Sequence, residues 1–139
     1  MVGTVLLVDD EELVVDVTKK KLLQQGISVI GVNDGEQAIK VLREGPVDLI
    51  VLDIEMPQMN GYAFLYERKK IPGAENIPII VLTAYDSMEP IFCRHGISAY
   101  LVKPVRFQDL LSRIMEILAE KTSRNLFIPA APEKTSAPD

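Results

Sequence analysis

The sequence predicts an α/β domain built on a doubly wound, five-stranded parallel sheet that helices cover on both faces. Short apolar runs alternate with amphipathic stretches as far as about residue 121. The runs have little internal polarity, which is typical of strands buried on both faces and therefore of parallel sheets. Four of the runs end in a polar side chain, at Asp9, Asp53, Thr83 and Lys103. Right-handed crossovers bring the carboxyl ends of parallel strands to one edge, where ligands bind.

The strands are predicted from these apolar runs and from the turn residues that bound them. The first run ends at the pair Asp9-Asp10, the second follows Gly26, and the third ends at Asp53. The fourth ends at Thr83, and the fifth ends at Lys103-Pro104. In chain order, the predicted strands cover residues 5–8, 27–32, 49–52, 79–82 and 99–102.

The helices are predicted from apolar positions that repeat every three or four residues, and from Gly and Pro residues that end the pattern. Val14, Val17 and Leu22 are expected to form the buried face of the first helix. The segment 71–77, which contains Pro72 and Gly73, is expected to be a surface loop. In chain order, the predicted helices cover residues 11–24, 36–43, 62–70, a short and weak helix at about 87–95, and 107–121, which has the clearest apolar face.

The length of 139 residues suits one domain with its own core. We place that domain at residues 1–121. From Thr122 onward, proline and small polar residues replace the helical pattern, so residues 122–139 are predicted to be a Pro-rich disordered tail or linker.

Composition and charge narrow the function classes. The net charge of −5 argues against direct binding of nucleic acid or of an anionic membrane by this domain. The single cysteine, Cys93, cannot form an internal disulfide, which fits a reducing compartment. No signal peptide or apolar run of membrane-spanning length is visible. We therefore expect a cytoplasmic protein.

The polar residues at the strand ends suit phosphoryl chemistry. Three carboxylates at one edge repel one another, and a divalent cation resolves that repulsion. A site with oxygen ligands only and room for water favours Mg²⁺. Lys103 could neutralise a phosphoryl oxygen and Thr83 could donate a hydrogen bond to another, while a carboxylate can itself act as the nucleophile.

These residues resemble the receiver domain of a two-component response regulator. The matching motifs are Asp9-Asp10, the stretch from Asp53 to Gly61, Thr83-Ala84, and the run from Tyr100 to Pro104. All of them occur in the right order and at compatible spacing, and the resemblance covers residues 3 to about 121. It implies a flavodoxin-like (βα)5 architecture.

The resemblance also implies a role for each matching residue. Asp53 would accept the phosphoryl group, and Asp9, Asp10, Asp53 and the main-chain carbonyl of Glu55 would bind Mg²⁺. Lys103 would pair with a phosphoryl oxygen, and a cis peptide bond between Lys103 and Pro104 would fix the direction from which the lysine approaches. Thr83 and Tyr100 would act as the switch. Glu55 itself is expected to lie with its side chain toward solvent at the rim of the site.

The resemblance further implies the partners of this chain. A sensor histidine kinase or a phosphotransfer protein would donate the phosphoryl group, and output would pass to a downstream protein or to a missing effector domain. The segment from Thr83 to Lys103 is short for the family and contains Pro90, so the helix at 87–95 is predicted to be short and mobile. The sequence leaves both a monomer and a weak homodimer open.

Two rival functions use the same residues. One is a Mg²⁺-dependent small-molecule phosphatase or phosphotransferase with an aspartyl nucleophile, for which 139 residues leave no cap over a substrate pocket. The other is a scaffold with a vestigial site, against which the full set of acids, threonine and lysine argues. We expect no enzyme activity beyond phosphorylation and autodephosphorylation at Asp53.

Overall fold

The computed structural model describes residues 2–56, 61–84 and 96–126, with side chains as far as Lys121. Its centre is a five-stranded, all-parallel sheet with the strand order β2-β1-β3-β4-β5. This confirms the predicted doubly wound α/β fold. The strands are β1 Thr4–Val8, β2 Ser28–Val32, β3 Leu49–Asp53, β4 Ile79–Thr83 and β5 Ala99–Val102.

The described part of the chain also contains four α-helices and one short 3-10 helix, and the last helix follows β5. The helices are α1 Glu12–Gln24, α2 Gly35–Glu44, α3 Gly61–Arg68 and α4 Phe107–Leu126, and the 3-10 helix is Ala74–Asn76. The predicted helix at 87–95, with Pro90 and Cys93, lies outside the described residues. Among the described helices, none combines the length and the apolarity that crossing a bilayer requires.

The core consists of two apolar layers, one on each face of the sheet. On one face, Leu6, Ile50 and Val81 pack with Ala38 and Leu42 of α2 and with residues of α3. On the other face, Val5, Val51 and Ile80 pack with residues of α1 and α4. Each strand alternates its side chains between the two layers, as a pleated strand must. Strands β3 and β4 are buried along their whole length, so the side chains at their carboxyl ends are held on a rigid support.

The buried face of α1 differs from the prediction. Val14 and Val17 are exposed, while Val15 and Leu22 are buried. Apolar residues stand at positions 13, 14, 15 and 17, so the sequence pattern alone does not select one face. The close approach of Val15 to Gly31 selects it: a Cβ atom at Gly31 would come within 2.4 Å of Val15 Cγ1. The missing side chain in β2 therefore fixes which side of α1 packs on the sheet.

Three further features differ from those expected. The segment 71–77 is not a simple surface loop, because Ile71 and Ala74 are buried and residues 74–76 form the 3-10 helix. Helix α4 continues to Leu126, five residues beyond the predicted end at Lys121. β5 is only partly buried, unlike the strands at the centre of the sheet. The division of the chain at 121/122 stays a prediction, and residues 127–139 lie outside the description.

Candidate functional site

Three carboxylates meet at the carboxyl edge of the sheet. Strands β1 and β3 are neighbours, and their register pairs Val8 with Leu52. Asp9 follows Val8 and Asp53 follows Leu52, so these two residues are adjacent, and Asp10 lies next to them. One carboxylate oxygen from each of these residues lies within 4.8 Å of the other two. The sequence predicted this cluster from the two strand ends alone.

Burial and repulsion raise the pKa of Asp9 to about 6. Only 4% of the residue is exposed, and burial disfavours its charged form. The N–H of Glu11 donates a hydrogen bond of 2.9 Å to Asp9 Oδ1, which opposes the rise. The negative charges of Asp53 and Asp10 add to it.

Asp53 lies between the acidic pair and a lysine. Its Oδ1 accepts hydrogen bonds from Lys103 Nζ at 2.8 Å and from the Glu55 N–H at 3.1 Å. Burial raises the pKa of Asp53, although Lys103 opposes that rise. Burial by itself would lower the pKa of Lys103, but the carboxylates of Asp53 and Glu55 outweigh it and raise that pKa. Lys103 is thus held as a cation against Asp53.

The cis peptide bond predicted between Lys103 and Pro104 is present. The Lys103 N–H donates a hydrogen bond of 2.7 Å to the Thr83 carbonyl, which ties the end of β5 to the end of β4. Lys103 therefore reaches Asp53 from the end of β5, across the end of β4, and its main chain is fixed beside Thr83.

Thr83 is fully buried, and its side chain contacts Glu55. Thr83 Oγ1 donates a hydrogen bond of 2.8 Å to Glu55 Oε2. The expectation that the Glu55 side chain points to solvent is wrong, because only 33% of that side chain is exposed and its carboxylate also accepts from the Ala84 N–H. The sequence placed Glu55 and Ala84 near the site, but it did not predict that the Glu55 carboxylate accepts hydrogen bonds from Thr83 and from the Ala84 N–H.

Tyr100 lies on β5, which is separated by β4 from β3, the strand that ends in Asp53. The register pairs Tyr100 with Val81, and Thr83 lies two residues after Val81 on the same face of β4. The Tyr100 ring packs, partly buried, against the core layer that contains Val81. This placement puts Tyr100 and Thr83 on the same side of the sheet, as a linked switch requires. Their movement itself stays a prediction.

Comparison with known proteins identifies the family. The family model described as "Response regulator receiver domain" matches residues 5–115, which is most of the chain. The chain belongs to the response regulator receiver domain family. The predicted resemblance is thereby confirmed, and the cluster of acids at the sheet edge is the region in which the motifs that carried the resemblance come together.

A curated relative and two solved structures illustrate the match. The probable transcriptional regulator ycf27 of Cyanidium caldarium is 34% identical over 122 residues, which cover 86% of this chain and 48% of the relative. The chemotaxis protein CheY4 of Vibrio cholerae superposes with a TM-score of 0.77 at 26% identity, covering 83% of this chain and 98% of that one. TrrA of Thermotoga maritima, solved in complex with Mg²⁺–BeF, gives a TM-score of 0.72 at 30% identity, covering 83% and 98%.

The relatives also set a limit on what the match describes. The receiver domain spans about half the length, or less, of the curated relatives that it matches. The CheY4 and TrrA structures, in contrast, are covered almost completely. The shared part is therefore the receiver domain itself.

The acids of this receiver domain fit a magnesium ion. Among the residues that the structure describes, the cluster consists of three carboxylates without a histidine or cysteine, and two of the carboxyls have raised pKa values that a cation would relieve. The Glu55 carboxylate is not among the clustered oxygens, because it contacts Thr83 and Ala84 instead. The main-chain carbonyl is thus the group that remains for the predicted role of Glu55 as a ligand.

The raised pKa of Asp9 predicts a pH dependence of magnesium binding. Its pKa is about 6, against the ordinary 3.8, so the folded state holds this proton more tightly than the unfolded state. The bound proton therefore stabilises the folded state, fully at a pH below the pKa of Asp9 in the unfolded chain, and this stabilisation is lost as the pH rises through about 6. Mg²⁺ needs the deprotonated carboxylate. We expect the Mg²⁺-induced rise in melting temperature to grow between about pH 5 and about pH 7.

Thermal melts with and without Mg²⁺ across this pH range measure the effect. Asp16→Asn, which removes an exposed acid on α1 outside the cluster, should show the same pH profile as the parent protein. A Mg²⁺-induced shift of equal size at both ends of the range would contradict the prediction.

Proposed function

We propose that this receiver domain is a phosphorylation-controlled signalling switch in which Asp53 accepts the phosphoryl group. One observation carries the proposal: Asp53 Oδ1 lies 2.8 Å from Lys103 Nζ, while the same carboxylate belongs to the three-acid cluster. A nucleophile, a fixed cation and a magnesium-type oxygen cluster thus stand together on rigid strand ends. Phosphoryl transfer depends mainly on such positioning and charge neutralisation.

The proposed transfer joins Asp53 to phosphorus. A carboxylate oxygen of Asp53 forms the new bond, while the bond from phosphorus to the imidazole nitrogen of a phosphohistidine breaks and its electron pair stays on that nitrogen. Asp9, Asp10, Asp53 and the Glu55 carbonyl would hold Mg²⁺, which when bound neutralises the charge on the phosphoryl oxygens. Lys103 neutralises the oxygen on its own side.

The readout proposed for the switch begins at Thr83. The phosphoryl group adds charge within reach of Lys103, Thr83 and the Ala84 N–H, and a local charge change of this kind biases neighbouring packing. Thr83 ends β4, and Tyr100 packs against the layer beneath it. The change would thus pass from Thr83 to the outer strand β5.

The partners are part of the proposal. The phosphohistidine donor would be a sensor histidine kinase or a phosphotransfer protein, and output would pass to a downstream protein or to an effector domain elsewhere in the same protein. The length that the curated relatives have beyond the match supports an effector of this kind. We place the switch in the cytoplasm, with no direct role for this domain in binding nucleic acid or membrane.

The rival enzyme function has less support in the structure. A cavity of about 430 Å³ lies between residues 75–78 and the C-terminal half of α4, with Glu75, Pro78 and Ile117 among its lining residues. Pro78 immediately precedes β4, whereas Asp53 and Thr83 end their strands. The cavity is therefore at the edge of the sheet opposite to the acids, and no substrate bound in it would reach Asp53.

Chemical phosphorylation tests the proposed acceptor. Incubation with acetyl phosphate and Mg²⁺ should add one phosphoryl group per chain, stable in acid and labile in base, as measured by intact-protein mass spectrometry. Asp53→Asn should remain unmodified, because the amide is not a nucleophile for this transfer. Asp16→Asn is the matched control and should be labelled as the parent is. Labelling of Asp53→Asn to the parent level would show that the acceptor is another residue.

A further inference from the structure

The side chain of Glu55 occupies a set of hydrogen-bond donors at the carboxyl edge of the sheet. Its Oε2 accepts from Thr83 Oγ1 at 2.8 Å and from the Ala84 N–H at 3.1 Å, and its Oε1 lies 3.2 Å from the same N–H. Lys103 Nζ lies 3.4 Å from Oε1. We call these three donors, Thr83 Oγ1, the Ala84 N–H and Lys103 Nζ, the anion-binding donors.

The strand register places Glu55 there. Asp53 pairs with Leu82, and the Ile54 N–H donates to the Leu82 carbonyl at 3.0 Å, so the pairing of β3 with β4 continues one residue past Asp53. Glu55 therefore stands beside the end of β4, next to Thr83 and Ala84. The contact joins residues 28 positions apart and depends on this register.

The anion-binding donors are also those that a phosphoryl group on Asp53 would need. Lys103 Nζ bonds Asp53 Oδ1 at 2.8 Å and also reaches Glu55 Oε1, so it spans the two carboxylates. A phosphoryl oxygen attached to Asp53 would enter the space that these donors face. Carboxylate and phosphoryl oxygens make the same charge-assisted hydrogen bonds and thus compete for the same donors.

The Glu55 carboxylate and a phosphoryl group cannot both accept hydrogen bonds from all of these donors, because too few hydrogens are available. The Thr83 hydroxyl and the Ala84 N–H each have one hydrogen to donate, and both point to Glu55. A phosphoryl oxygen could take either hydrogen only if Glu55 released it. Two anions held together in a partly buried site also repel each other. The competition for hydrogen bonds and the repulsion between the two anions therefore both favour displacement of the Glu55 carboxylate when Asp53 carries a phosphoryl group.

We propose that the Glu55 carboxylate is a built-in competitor of the phosphoryl group, which holds the anion-binding donors in the unmodified protein and must be displaced when Asp53 is modified. This inference rests on the proposed acceptor role of Asp53. Glu55 is then a positioning residue that holds the Thr83 hydroxyl toward its own carboxylate before phosphorylation and makes the phosphorylated state harder to reach.

Beryllofluoride, a phosphoryl mimic, measures the competition. The parent, Glu55→Ala and Glu55→Gln are titrated with beryllofluoride at saturating Mg²⁺, after the Mg²⁺ affinity of each has been measured separately. Glu55→Ala should bind the mimic about tenfold more tightly than the parent, because the mimic no longer displaces a charged acceptor. Glu55→Gln keeps one acceptor oxygen without the charge and should lie between the two.

A second readout uses the metal-free protein. The Ala84 amide proton should move upfield in nitrogen–proton correlation spectra of Glu55→Ala, because it loses its charged acceptor, and Glu55→Gln should move it less. Glu120→Ala is the matched control. It removes an exposed acid next to Lys121, whose Nζ bonds Asp48 ahead of β3 and hence at the opposite edge of the sheet. Neither its affinity for the mimic nor its Ala84 resonance should change.

The outcomes separate this inference from the proposed function. Weaker or unchanged binding of beryllofluoride by Glu55→Ala, with the parent binding normally, would overturn the competition and would show that Glu55 prepares the donors for the phosphoryl group or takes no part. An unmoved Ala84 resonance would overturn the contact itself. If no variant and not even the parent bound the mimic, the proposed acceptor function would fail, and the inference would fail with it.

Discussion

Asp10→Ala should abolish phosphorylation of the receiver domain and leave its metal-free fold intact. Asp10 is the exposed member of the three-acid cluster, whereas Asp9 and Asp53 are buried. Its charge contributes to the raised pKa values of both of these neighbours. Removing it relieves repulsion among the remaining carboxylates but takes one of few ligands from the cation. Asp10→Ala should thus leave the metal-free protein as stable as the parent or slightly more stable, while it weakens the binding of Mg²⁺.

The expected size of the effect makes the test decisive. The affinity for Mg²⁺ should fall at least about tenfold, which corresponds to roughly 1.4 kcal/mol. The metal-free melting temperature should stay equal to that of the parent or rise slightly. Isothermal titration with Mg²⁺, melts in the presence of a chelator, and labelling with acetyl phosphate give the three quantities.

Asp16→Ala is the control for Asp10→Ala, since it removes an exposed acid on α1 without touching the cluster. It should bind Mg²⁺ and accept phosphate as the parent does. A Mg²⁺-induced rise in melting temperature that survived Asp10→Ala would argue against its role as a ligand. A large loss of metal-free stability would mean that Asp10 holds the fold itself.

Much of this fold is predictable because its central strands are buried on both faces. The strands β3 and β4 are uninterrupted apolar runs, and each ends in one polar residue, at Asp53 or at Thr83. That pattern gives both the strand and its carboxyl edge. The three acids could be placed together for the same reason, since a parallel sheet leaves no other position for residues that follow neighbouring strands.

Helix α1 shows where such reasoning fails. Its apolar residues are too many to define one buried face from the sequence. Val15 is the residue that is buried, and its burial depends on the absence of a side chain at Gly31 of β2. The end of α4 fails for a different reason. Its last residues before Leu126 show no apolar period, and a helix can continue there without one because it extends a helix that is already formed.

The contacts of the Glu55 side chain could not be predicted from the sequence because its partners are distant in the chain. Its contacts to Thr83 and Ala84 depend on how far the β3–β4 pairing continues beyond Asp53, and no local pattern encodes that register. An acid two positions after Asp53, with a threonine at the end of the next strand, is the sequence feature that could have predicted this contact.

Gly61→Ala should cause the largest loss of stability among the substitutions considered, with a functional consequence. A Cβ atom at Gly61 would lie 2.6 Å from Ile54 Cα and 2.4 Å from Ile54 Cδ1. The side chain of Ile54 could rotate, but its Cα is part of the main chain and cannot move alone. Overpacking of this kind costs about 3 kcal/mol, so the melting temperature should fall by roughly 10 °C or more.

The functional consequence follows from the position of Ile54. It stands between Asp53 and Glu55, and its carbonyl accepts the Gly61 N–H at 2.9 Å. Displacing Ile54 would move both neighbours, so Gly61→Ala should also weaken beryllofluoride binding at a temperature well below its melting point. Gly45→Ala is the matched control, because no atom lies within 4 Å of a Cβ there and its backbone is extended. Chemical unfolding gives the stability of each variant. If Gly61→Ala unfolded no more easily than Gly45→Ala, the tight approach of α3 to the Asp53–Glu55 segment would not be what holds this edge of the site.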